Sequence, residues 1–396
     1  MKPMLCAGLL LTLATGCASG PDPTRRDLGS SERMAGEQNA PAKLKPYYQR
    51  LYMEGESNAT LNRMRLASAA IEKGEWKDAE RALDDVIRDV EALGPADERS
   101  REAMSKFESE DIKRFKGEAY ERSMAYFLRG LLYLRADSFD NARACFKSVQ
   151  VFDAAKTDPK LHGNWASADW LEGWCNWNLN EKNAAQECWE RAKRHSSTPL
   201  SIPSPDDNTL CVALLGFGPI KIPTGDQGER LDYRAGNSKT LHVRVKVNGV
   251  SKSPVKMEDL LAQASGRGLR QMDVVNEGKA DTKASADTAG DVLILGGAGA
   301  TVGGSVAGDT TVAAAGLGAA AAGMITKGIA SGIHPKADTR TWDLLPASIQ
   351  ILPLNLPQGD QSLDVQFLND KGNVVSEKKI VSPNSSRPRL LLLIER

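Results

Sequence analysis

Between residues 126 and 192 small and bulky residues recur at helical spacing, in one order, twice over. Gly130, Phe139, Ala142, Phe146 and Val149 stand at offsets of 0, 9, 12, 16 and 19, and Gly173, Lys182, Ala185, Trp189 and Ala192 stand at the same offsets. Ala67, Trp76, Ala79, Leu83 and Val86 repeat them upstream, with a turn expected at Lys73-Gly74-Glu75. Residues four apart share a helix face. The pattern therefore predicts three helical hairpins. In each, a small residue on the first helix faces an alanine on the second. The bulky residue four positions later fills the gap between neighbouring hairpins.

Past the Pro- and Ser-rich stretch 199–207 the period changes from helical to two. Residues 210–217 form an apolar run, and Leu241-His242-Val243-Arg244-Val245-Lys246-Val247 alternates up to Asn248-Gly249, a hairpin turn signal. Near the end, 363–367 and 374–381 flank Asn369-Asp370-Lys371-Gly372-Asn373 as a second hairpin, with further strands at 349–354 and 390–394. The expected fold class is α+β and multidomain. An N-terminal helical-repeat domain (46–200) precedes a β-rich C-terminal domain (207–396).

The small–large–Ala–large order resembles the tetratricopeptide pattern, whose unit is about 34 residues long. Here the copies begin 63 and 43 residues apart, and no Pro follows the second helix. Three degenerate, TPR-like hairpins separated by inserts are expected, not a regular array.

Three further strings carry a second resemblance. Phe115-Lys116-Gly117-Glu118-Ala119-Tyr120-Glu121-Arg122-Ser123-Met124 leads into the second hairpin, Gly216-x-x-Pro219-x-Lys221 closes the apolar run, and Ala337-Asp338-Thr339-Arg340-x-Trp342 precedes Leu345-Pro346. Together they resemble a family of uncharacterised bacterial lipoproteins with helical repeats. The resemblance implies a fold and a location, but no activity.

The N-terminus is consistent with that location. Residues 1–16 hold Lys2, a short apolar run and Ala14-Thr15-Gly16 directly before Cys17. This is a secretory signal too short to span a membrane as a stable helix, and it resembles a lipobox with Cys17 as the lipidated first residue. An ordinary signal peptide is the other reading. Ala18 and Ser19, with no Asp after Cys17, favour the outer membrane, with the body facing the periplasm. Several acyl chains on one cysteine hold firmly where a single chain does not. Residues 17–45 read as a flexible tether.

The most unusual composition lies at 292–333, where only Asp309 and Lys327 carry charge. Gly296, Ala300, Gly304 and Gly308 recur every four residues, as do Ala314, Gly318 and Ala322. Such spacing allows close helix packing. The uncharged runs beside Asp309, about 17 residues each, are short for a bilayer core. A helical hairpin buried against the sheet or a partner, one inserted in a membrane, and disorder all remain open. A dinucleotide loop does not fit: counted from Gly297, the sixth position is Val302, and no βαβ unit follows.

Composition narrows the function classes by exclusion. The 51 basic and 51 acidic residues balance, so neither nucleic acid nor an anionic surface is an evident partner. The four histidines stand in no metal spacing, no phosphate loop or nucleophile elbow occurs, and no carboxylate pair stands out. No cofactor, metal or catalytic residue is expected. Cys145, Cys175, Cys188 and Cys211 read as buried thiols, with disulfides the alternative.

Two groups are candidates for partner binding. Glu118, Tyr120, Glu121 and Arg122 are either an ordinary helix start or a polar cluster facing a groove. Trp170, Trp174 and Trp177 form one helical stripe, read either as core or as a surface that stacks on a peptide or sugar. Asp338 and Arg340 either hold a turn or form a buried pair against Trp342 that fixes the two halves. The expected function is a non-catalytic, membrane-anchored scaffold for envelope proteins, with homo-oligomers possible. The rival is a membrane-active component that uses 292–333.

Overall fold

The computed structural model describes residues 38–92, 114–153, 164–266, 337–382 and 388–396. The N-terminal half is helical and the C-terminal region is built of β-sheets. Among the described residues the helices are α1 (Lys45–Glu54), a 3-10 turn (Glu56–Asn58), α2 (Ala59–Lys73), α3 (Trp76–Glu91), α4 (Ala119–Arg135), α5 (Phe139–Asp153), α6 (Ala166–Asn178) and α7 (Lys182–His195). They pack in sequential pairs: α2 with α3, α4 with α5, and α6 with α7.

The three pairs close through one and the same turn. Gly74, Asp137 and Asn180 occupy equivalent positions and adopt φ of 74°, 55° and 64°. These residue types tolerate the left-handed region best. In each pair the next N–H reaches back to end the first helix: Glu75 to Ala70 O at 2.9 Å, Ser138 to Tyr133 O at 2.9 Å, and Glu181 to Asn176 O at 2.8 Å. Such a bond satisfies an otherwise orphaned helix carbonyl. The same three residues then accept the first bonds of α3, α5 and α7 from Ala79, Ala142 and Ala185.

Two of the bulky residues pack closely against the first helix of their own pair. A Cβ on Gly130 would lie 2.7 Å from Phe146 Cε1, and one on Gly173 would fall on the Trp189 indole. Phe146 also meets Phe127 of α4, and Trp189 meets Trp170 and Trp177 of α6. Each of these large rings fills a notch left by glycine in its own hairpin.

The strands are β1 (Thr209–Leu215), β2 (Ile220–Thr224), β3 (Arg230–Arg234), β4 (His242–Val247), β5 (Val250–Lys252), β6 (Val255–Asp259), β7 (Ser348–Leu354), β8 (Gln361–Leu368), β9 (Val374–Ser382) and β10 (Arg389–Glu395), with a short helix α8 (Leu260–Ser265) after β6. One sheet has the order β10-β1-β7-β6, a second β5-β4-β8-β9, and β2 and β3 form a separate ribbon. Asn248 and Gly249 both take positive φ in the turn between β4 and β5, as such a two-residue turn requires.

β1 explains how the layers stack. All seven of its residues are buried. Leu210, Val212 and Leu214 join the cluster that holds the helix interiors, whereas Cys211, Ala213 and Leu215 join a second cluster with Val243, Val245, Leu363, Val365 and Phe367. Period-two alternation thus sends one face to the helices and the other to the outer sheet, and a strand covered on both sides has to be continuously apolar. The order is helices, inner sheet, outer sheet. The inner core runs without a break from the helical half into the sheet.

Cys145, Cys175, Cys188 and Cys211 are buried free thiols. Burial pushes Cys145 up to about 11 and Cys211 up to about 12. Among the described residues no helix is long and apolar enough to cross a membrane. Cys17, the tether up to residue 37 and the segment 292–333 lie outside the described residues; the end of the expected tether is not loose, because Leu44 is fully buried in the helical core and Ala40 packs against it.

Candidate functional site

The three motif strings converge on one point between helices and sheets. Glu121, in the first turn of α4, and Lys221, on β2, are sealed from solvent and paired at 2.7 Å between Oε2 and Nζ. The same carboxylate accepts the backbone N–H of Trp342 on Oε1 at 3.0 Å and that of Glu118 on Oε2 at 2.7 Å. Lys221 also donates to Arg340 O at 2.8 Å and lies 5.0 Å from the centre of the Phe115 ring. Every element needed to bury two charges is present, since both partners are hydrogen-bonded beyond the ion pair itself. Trp342 donates from Nε1 to Ser68 Oγ at 3.0 Å, which ties the same loop to α2.

Glu118 completes the start of α4. It and Glu121 form a reciprocal capping box, the arrangement that satisfies two orphan N–H groups at once. Tyr120 is fully buried and meets Tyr233 of β3 edge-on at 5.8 Å. The Arg122 stem packs beside Gly117, whose φ is 74°. Tyr120 and Glu121 therefore face the interior and line no groove. Their burial against the sheet corrects the partner-binding reading of these positions.

Asp338 and Arg340 pair at 2.7 Å while remaining partly exposed. Arg340 Nη1 also donates to Asn58 Oδ1 at 2.9 Å. The fully buried pair that touches Trp342 is instead Glu121 with Lys221. Two more ties join the halves. Arg65 of α2 donates to Asp343 Oδ1 at 2.7 Å, and buried Glu258 accepts the Ser167 N–H at the start of α6 at 2.9 Å.

The tryptophan stripe divides. Trp170 and Trp174 are 1% and 2% exposed, and their rings stack on each other at 6.0 Å. Trp170 Nε1 donates to Ser201 O. Neither can stack on a ligand, because the chain already covers both. Trp177 alone is partly open, with Lys182 Nζ 5.1 Å above its ring.

An open polar groove of about 540 Å³ lies on the helical half, lined by α5, α6, α7 and the turn before α7. α5 contributes Arg143, Lys147 and Gln150, and α6 contributes Asp169, Glu172 and Asn176. Arg191 of α7 crosses the floor, with Nε 3.0 Å from Asp169 Oδ1 and Nη2 2.7 Å from Glu172 Oε2. His195 Nδ1 holds the other Asp169 oxygen at 2.8 Å. Burial works against the Arg191 charge, yet Asp169 and then Glu172 outweigh it and hold the guanidinium above its usual range. Arg143 Nη1 binds Glu181 Oε2 at 2.6 Å and Asn176 Oδ1 at 3.1 Å. The sequence signal for this floor is the spacing of Asp169, Glu172 and Asn176, a polar i, i+3, i+7 stripe on an otherwise apolar helix. Among the described residues no group of three His, Cys, Asp or Glu side chains is placed to hold a metal ion.

No protein-family model matches this chain, nor does any curated protein or solved structure.

Proposed function

We propose that the chain is a lipid-anchored envelope scaffold of the lipoprotein family it resembles, without catalytic activity. In this reading Cys17 carries the acyl chains, the stretch from Cys17 to about residue 37 is the leash, and the helical pairs are three degenerate TPR-like repeats. The repeated closing turn at Gly74, Asp137 and Asn180 supports the repeat assignment. The observation that carries the function is the open charged groove on α5, α6 and α7. It is mounted on a body whose two halves are pinned by a buried ion pair. A scaffold needs that combination: a rigid frame and a recognition surface that the frame leaves open.

Two experiments test this reading. Labelling with radioactive palmitate is expected in the wild-type chain and lost in Cys17→Ser. A photo-crosslinking amino acid at Lys147, in the groove, is expected to trap a discrete partner in envelopes, whereas one at Ser251, on the outer sheet, is not. Trapping at Ser251 alone would contradict the groove assignment. A Cys17→Ser chain that stays in the membrane fraction would favour the rival in which 292–333 inserts.

A further inference from the structure

The outer sheet ends in a long strand. β9 (Val374–Ser382) closes the order β5-β4-β8-β9, and among the described residues β8 is its only strand neighbour. Val374, Val375 and Val381, all on this strand, are left exposed. Such an edge presents a row of backbone N–H and C=O groups to any strand able to pair with it. Register decides which side chains that strand would meet. Leu363, Val365 and Phe367 of β8 pack toward the inner sheet and stand opposite Ile380, Lys378 and Ser376. Glu377, Lys379 and Val381 therefore point outward, opposite Gln366, Asp364 and Ser362, and all three are exposed. Gln366 donates to Glu377 within the sheet.

We propose that β9 pairs antiparallel with β9 of a second copy of this chain, about a two-fold axis at Lys378, joining the two outer sheets into one. Val375-x-Glu377-x-Lys379-x-Val381 is its own complement when reversed. Glu377 of each copy stands opposite Lys379 of the other, and Val375 opposite Val381, the isologous contact that a two-fold axis demands. Each Lys379 then lies between Asp364 of its own β8 and Glu377 of the second copy. Neighbouring registers fail. A slip of one residue puts outward positions opposite inward ones. An axis at 377 or 379 sets Glu377 or Lys379 against itself, and like charges directly opposite are destabilising. Lys378 meets its counterpart at the axis on the inner side, but its ammonium is already held by Glu395 and by Ile394 O of β10. The register with β8 steps at Val375, so the Glu377–Lys379 rungs carry the specificity and the valines close the rim. Lysines on an edge ordinarily guard it against a second strand; here alternation with glutamate turns that repulsion into attraction in one register.

Sedimentation equilibrium at low salt tests the pairing, on the full chain after residue 16 with Cys17→Ser so that no acyl group drives association. This parent is expected to show a reversible monomer–dimer equilibrium with Kd below about 1 mM, as suits a small interface. Glu377→Lys makes both charged rungs Lys–Lys, and Lys379→Glu makes both Glu–Glu. Each is expected to weaken the dimer about tenfold. Mixed one to one, the two variants regain unlike rungs and should associate with each other as tightly as the parent does with itself. The double swap Glu377→Lys with Lys379→Glu should dimerise likewise. Both side chains are exposed, so the variants keep the fold, and circular dichroism checks this. A parent chain that stays monomeric would overturn the proposal. So would dimers that the single swaps leave unchanged, or that mixing fails to restore. The groove on the helical half takes no part in this contact, so either can fail without the other.

Discussion

The joint around Glu121 and the groove around Asp169 are built from the same materials and end up as opposites. Each has a carboxylate held by a basic side chain from another element, and each draws on residues near the start of a helix. At the joint both charges are sealed in, and each is hydrogen-bonded to the chain beyond the ion pair itself. At the groove the charges also pair with each other, but Arg191 remains 36% exposed. A buried charge leaves no room for error, because an unpaired partner is costly, so the joint serves rigidity. A half-open network tolerates exchange of partners with water, so the groove is the site proposed for binding.

Substitutions at the joint and at the groove should differ in size. The largest effect is expected at the joint. Glu121→Ala strands the Lys221 ammonium in the interior and should cost about 3–5 kcal/mol of unfolding free energy, measured by urea denaturation. Replacing both with apolar side chains, as in Glu121→Leu with Lys221→Met, should recover much of that loss. Recovery would show that the penalty lies in the stranded charge and not in lost packing.

Next come the hairpin notches. Gly130→Ala and Gly173→Ala improve intrinsic helix propensity by about 1 kcal/mol, yet the new methyl collides with Phe146 or Trp189. Overpacking should win, with a net loss of about 1–3 kcal/mol. A gain in stability would mean that the rings have space to retreat.

An alkaline effect follows from the buried thiols. Burial raises Cys211 from 9.0 to about 12, so the folded state favours the protonated form. That contribution is fully present below the unfolded value and is lost as pH rises from 9.0 toward about 12. By about pH 10 the loss amounts to roughly 1.4 kcal/mol, and Cys211→Ala should flatten the fall in stability with pH. The smallest effect belongs to the groove walls. Lys147→Met and Glu187→Gln should change stability by no more than about 0.5 kcal/mol, which separates these exposed positions from framework positions.

Much of the fold was legible from period alone. The helical spacing of 61–90 and 126–192, the alternation of 241–247 and the Asn248-Gly249 turn each name their element because local chemistry decides it. The turn residues were half legible: Gly74 announces itself, whereas Asp137 and Asn180 are ordinary surface residues until three copies are laid side by side. The double coverage of β1 was visible only as an apolar run, since which layer covers each face depends on chain 130 residues and more away in Ile349 and Phe367. At the joint the motifs stood out while their meeting did not, because Glu121 and Lys221 are separated by 100 positions and Trp342 by 221. The groove was hardest to read. Its floor lies on the helix whose tryptophans dominate the pattern, and its walls come from two other helices.

Helices and sheets should behave as one cooperative body held through the sealed joint. Native-state hydrogen exchange followed in α4 (Ala119–Arg135) and β1 (Thr209–Leu215) tests it directly. The most protected amides of both elements should exchange with the same opening free energy, and Glu121→Ala should lower both together. Separate opening energies in the wild-type chain, with Glu121→Ala lowering only α4, would contradict it.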